Sequence, residues 1–111
     1  MTGIHQKTIR AEDREFSVRM LKFDNGTFVS LAEGANNLGA ITLSLGVSPG
    51  PVTTTVIPAK TEPLLLKLIA ERVSSHTQGI AIVSSSIRRD VDNATARTLV
   101  ADILSMVQED A

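Results

Sequence analysis

The chain has 111 residues, 42% of them hydrophobic, with no cysteine, tryptophan or tyrosine and a formal net charge of −1. That length suits one domain, residues 1–111, and the aliphatic supply is enough for a core without staples. The neutral balance lacks the positive field that nucleic acids and anionic lipids reward, and the missing cysteine excludes disulfides, thiolate metal sites and thiol nucleophiles.

From the N-terminus, Ile4 to Ile9 reads as a strand, so residues 1–13 form either an edge strand or a flexible arm. Met1 to Gln6 lacks the basic-then-apolar pattern of a signal peptide, and no apolar run approaches the roughly 18 residues of a membrane span. A cytoplasmic, membrane-free protein is expected. Phe16, Val18 and Met20 alternate with Ser17 and Arg19, the period-2 pattern of a half-buried strand. Leu21 and Phe23 carry apolar character on the other parity, which predicts a bulge or burial on both sides. Asn25-Gly26 is a hairpin turn, and Thr27 to Ala32 is the return strand.

Gly34 to Gly39 reads as a loop. Ile41, Leu43 and Leu45 then alternate with Thr42 and Ser44, a strand with one polar face. Val52 to Ile57 is rich in β-branched residues and stops at Pro58. The connections between these five strands are too short for helical crossovers, so an antiparallel meander is predicted.

The period then changes. Thr61 is placed to cap a helix with Glu62 and Pro63 in its first turn, and Leu65, Leu68, Ile69 and Val73 form one apolar stripe. Gly79 is its expected stop. Ile80 to Val83 is apolar on both parities and reads as a central strand. Asp90 or Asp92 opens a last helix of about 17 residues, roughly 25 Å, with Ala96, Leu99, Val100, Ile103 and Val107 on one face. The predicted class is α+β: an antiparallel sheet of about six strands in the order β-β-β-β-β-α-β-α, packed with two amphipathic helices.

Chemistry-bearing residues are few. His5 and His76, the only histidines, form no metal-ligand pair. Ser84-Ser85-Ser86 lies outside any nucleophile elbow and reads as strand-end polarity. Gly34 to Gly39 lacks the Lys-Ser/Thr ending of a phosphate loop and leads into a strand. Glu12, Asp13 and Glu15 mix with Arg10 and Arg14 in a charged turn that reads as solvated surface. No catalytic residue, cofactor or metal site is expected. Arg88 and Arg89, adjacent cations before the last helix, are the candidate partner-binding pair, partly neutralised by Asp90 and Asp92.

From Thr27 onward the sequence resembles the proteasome assembly chaperone 3 family. The likeness runs through Phe28-Val29-Ser30-Leu31, the Gly34 to Leu38 hairpin, and Gly39-Ala40-Ile41-Thr42-Leu43-Ser44-Leu45. It continues through Pro51 to Ile57, the Glu62-Pro63-Leu64 helix mouth, Gly79 to Ser84 and Val91 to Met106, about four-fifths of the chain. The resemblance implies a six-stranded antiparallel sheet with two helices. It also implies a non-enzymatic dimer, with itself or with a paralogue, that binds proteasome α-type subunits and assists α-ring formation. The small size and absent Cys, Trp and Tyr suit a prokaryotic, archaeal member. Some proteasome chaperones dock through a C-terminal hydrophobic-tyrosine motif. This sequence ends Gln108-Glu109-Asp110-Ala111, so docking by that route is not expected. The alternative is a dimeric roadblock- or longin-type scaffold acting on small GTPases, a fold that sets a helix earlier among its strands.

Overall fold

The computed structural model describes residues 3–109. Met1, Thr2, Asp110 and Ala111 lie outside the described residues, and the end of the C-terminal tail with them. The elements are β1 (Gly3–Ala11), β2 (Arg14–Phe23), β3 (Gly26–Glu33), β4 (Ala40–Leu45), β5 (Val52–Ile57), α1 (Pro63–Thr77), β6 (Ile80–Ser86) and α2 (Asn93–Gln108). This is the α+β class and the element order read from the sequence.

The strands form one six-stranded sheet in the order β1-β2-β3-β6-β4-β5. It is mixed rather than wholly antiparallel, because β6 pairs parallel with β3 and antiparallel with β4. The expected five-strand meander is therefore two pieces, β1-β2-β3 and the β4-β5 hairpin, with β6 between them. A short connection reverses the direction of the next strand but does not make it a neighbour: β4 runs opposite to β3 and still leaves room for β6 between them. The passage from β5 through α1 supplies the long return that a parallel neighbour needs. No bulge interrupts β2, which pairs in continuous register with β1 and β3.

Both helices cover the same sheet face. The core lies between the layers, where Phe16, Val18, Met20, Val29, Leu31 and Val83 meet Leu66, Ile69, Val73, Leu99 and Ile103. The α1 stripe is rotated from its expected phase. Leu65, Leu66, Ile69, Ala70 and Val73 are buried, whereas Leu68 is 39% exposed. The cap differs too. Glu62, not Thr61, occupies the N-cap position in a left-handed conformation without a side-chain cap, and Pro63 opens the helix. The Glu62 carboxylate accepts instead from the Val91 N–H at 2.7 Å, tying the start of α1 to the approach to α2. At the other end Gln78, not Gly79, takes the left-handed position. Gly79 is required for space, since a Cβ there would lie 2.5 Å from the Asn25 carbonyl oxygen. Asp92 caps α2 as its position suggests, accepting from the Thr95 N–H at 2.7 Å.

In β4 the polar side faces inward. Thr42 and Ser44 are buried under α1 while Leu43 and Leu45 are exposed. Ser44 Oγ bonds Ser74 Oγ at 2.9 Å and Thr53 Oγ1 at 3.0 Å, and Thr53 donates to Glu71 at 2.8 Å. A satisfied hydroxyl seam thus joins β4, β5 and α1 where the backbones lie close. A Cβ on Gly46 would fall 1.9 Å from the Ser74 carbonyl oxygen. The strand's apolar side chains are left on the face that no helix covers.

Candidate protein-interaction surface

Two parts of the surface are built by the fold: the corner around Arg88 and Arg89, and the open sheet face. The corner rests on Arg14, one of the residues read as a solvated turn. Arg14 is only 9% exposed, because it extends the parity of Phe16, Val18 and Met20 onto the covered face. Its guanidinium grips Glu33 bidentately, Nε to Oε2 at 2.9 Å and Nη2 to Oε1 at 2.7 Å, and stacks 5.2 Å from the Phe16 ring centre. It also donates to the carbonyls of Arg89 and Asp90, both at 2.9 Å, while Glu33 accepts from the Arg88 N–H at 3.1 Å.

These bonds hold the Glu33 carboxyl down to about 2. The Arg14 hydrogen bonds lower it most, burial opposes them, and the Arg88 N–H adds to the lowering. The same pair raises Arg14 above its ordinary value, again with burial opposing. The period-2 placement of Arg14 among buried positions is the signal that would have found this pair.

Arg88 and Arg89 themselves are exposed and line a polar cleft of about 370 Å³ with Asp13, Glu15 and Gly34. Gly34 has φ of +80°, and a Cβ there would strike the Arg88 guanidinium at 2.2 Å, so only glycine lets the arginine lie across the loop. The corner therefore has a rigid backbone carrying two exposed cations.

The other candidates are dispersed. His76 is exposed in the last turn of α1, and His5 lies on β1 opposite Met20. Ser84, Ser85 and Ser86 are the last three residues of β6, and the first two of them are buried. Ser84 Oγ accepts the Gly39 N–H at 3.0 Å, which fastens the Gly34–Gly39 loop against the sheet.

The open sheet face was not singled out in the sequence. Cross-strand register sets Ile4, Leu21, Phe28, Ile82 and Leu43 in one row from β1 to β4. At about 4.8 Å per strand that row is roughly 19 Å long. Beside it runs a second row, Phe23, Gly26, Ile80, Leu45 and Val52. Leu45, Val52 and Phe23 are 45%, 57% and 51% exposed, so the rows face solvent and not a second layer of this chain. Gly26 is forced by its place in the row, since a Cβ would meet the Ile80 carbonyl oxygen at 2.5 Å. On the same face, toward the far ends of β1 and β2, come Gln6, Thr8, Arg19 and Ser17, a polar border to an apolar centre. An apolar patch with a polar rim on a rigid sheet is the anatomy of a protein–protein interface.

The class so defined is a two-layer α+β domain with one sheet face packed by helices and the other apolar and bare. Its fold is similar to that of a chain in the crystal structure of a chaperone complex for yeast 20S proteasome assembly, with a TM-score of 0.62 and 12% identity, over 96% of this chain and 90% of that one. At that identity the likeness is one of fold. No family model and no curated protein matches the chain.

Proposed function

We propose that this protein is a non-enzymatic, cytoplasmic assembly chaperone of the proteasome core particle that works as a dimer and binds α-type subunits. The observation that carries the reading is the open sheet face, where an apolar surface without a partner in the chain lies on the fold of a proteasome assembly chaperone complex. A second copy or a paralogue covers that face, and the helices stay outside. The five strands ahead of the first helix favour this reading over a roadblock- or longin-type scaffold.

The reading is tested by co-expression with a proteasome α subunit and by mass from light scattering. The wild type should travel as a dimer and co-purify with the subunit. Leu43→Glu, at the β4 end of the first row on the open face, should be monomeric while remaining folded. A monomeric wild type, or one that ignores α subunits, sinks the proposal. Arg88 and Arg89 serve in this scheme to steer an acidic surface of the subunit toward the rigid corner. Replacing both by Ala should slow association at low salt, and the defect should shrink as the screening length falls below about 8 Å. Equal association rates at low salt would reduce the corner to a solvated turn.

A further inference from the structure

On the opposite side of the molecule, α1 and α2 leave a groove of about 620 Å³ between their outer faces. Its floor is Leu68, Val100 and Leu104, with the small Ala96 keeping it open, and Arg72 and Arg97 stand in its walls. Among the described residues no carboxylate lines it. Among the described residues neither guanidinium has a hydrogen bond or ion pair, while the nearby acids are engaged, Glu71 with Thr53 and Asp102 with Lys7.

We infer that this groove is a docking site for an acidic amphipathic helix of a partner protein. Three features select that occupant. The walls are helices whose backbone groups are already bonded within themselves, so an extended segment would find no edge to pair with, whereas a helix arrives with its own backbone satisfied. The stretch from Asn93 to Leu104 is about 16 Å long, which matches three turns of a helix carrying apolar residues at i, i+4 and i+7. Two planar, unpaired guanidinium forks flanking an apolar floor call for Asp or Glu beside that apolar ridge.

A second copy of this chain does not fit. The outer faces of α1 and α2 present Lys67, Arg72 and Arg97, and stacking them would set cations against cations. The groove lies on the helix layer, so it stays accessible whether or not the sheet face is covered. The inference therefore does not depend on the proposed function.

The probe is a capped, fluorescently labelled peptide of about 15 residues, helix-forming, with leucines on one face and glutamates flanking them. A matched peptide carries lysines in place of the glutamates. Anisotropy titration of the full chain should give binding of the Glu peptide roughly tenfold or more tighter than the Lys peptide. In Arg72→Glu/Arg97→Glu, which alters exposed positions only, the preference should reverse. Amide and methyl shifts on binding should centre on Leu68, Val100 and Leu104. Equal binding of the two peptides, a preference that survives the charge swap, or shifts centred on Phe28 and Leu43 would each overturn the assignment. So would a fall in the oligomeric mass of the charge-swapped chain, which would make the groove a contact between copies.

Discussion

The two faces of the sheet are made by the same strands and differ only in parity, yet they obey opposite rules. Beneath the helices, Phe16, Val18, Val29, Leu31 and Val83 are fully buried, and Ser44, Ser74 and Arg14 are admitted there with hydrogen-bond partners, while the buried Nε2 of His5 has none among the described residues. On the other side, Leu45, Val52 and Phe23 stand about half exposed beside the half-buried Phe28 and Ile82. The β4 strand makes the contrast sharpest, since it turns Thr42 and Ser44 inward and Leu43 and Leu45 outward. A chain selected only to fold alone would gain by the reverse arrangement. One face is packed by the helices, and the other is left open.

The comparison breaks most visibly on the covered side. Phe16→Ala removes a fully buried ring that also carries the Arg14 stack, and should lower unfolding free energy by about 3–5 kcal/mol in denaturant titrations. Within α1, Leu66→Ala should cost about 2–5 kcal/mol and Leu68→Ala well under half as much. Equal losses would mean that the helix is rotated from the phase described.

The acid limb of stability tests the rim where the layers meet. Glu33 has a folded value near 2, below its ordinary 4.5, so its contribution is full above about pH 5 and drains away as pH falls toward 2. Glu33→Gln should be less stable at neutral pH, and its stability should vary less across that window. Parallel curves for the two proteins would show that another group governs the acid limb.

The smallest expected effect is on the open side. Leu43→Ser/Leu45→Ser should unfold within about 0.5 kcal/mol of wild type when both are dilute. The wild-type midpoint should climb with protein concentration, because association stabilises the folded state by mass action, and the double variant's should not. A large loss in the dilute regime would show that these leucines already serve the monomer.

Much of this architecture could be read in the chain. Alternation in β2, the Asn25-Gly26 turn, the helical period after Pro63 and the Asp92 cap each act over a few residues, and local physics settles them. What could not be read depends on non-local pairing. Leucine at 64, 65, 66 and 68 fills most of two turns, so the stripe had no unique phase until β3, β4 and β6 chose one. The place of β6 between β3 and β4 leaves no local mark. Arg14 and Glu33 lie nineteen residues apart, and only the β2–β3 register makes them partners. The open face was missed for the same reason, since its rows are drawn from five strands and no single strand displays them.

The parallel pairing of β3 with β6 also has a consequence for how the molecule is made. Gly26 meets Ile80 and Val29 meets Val83, each more than fifty positions further along the chain. The β1-β2-β3 meander closes through tight turns and can form early. The β4-β5 hairpin has no place in the sheet until β6 arrives, since β6 is its only link to the meander. A contact that closes so long a loop raises relative contact order and slows folding. During synthesis the N-terminal third would wait, with one edge of β3 unpaired, until the residues through Ser86 had left the ribosome.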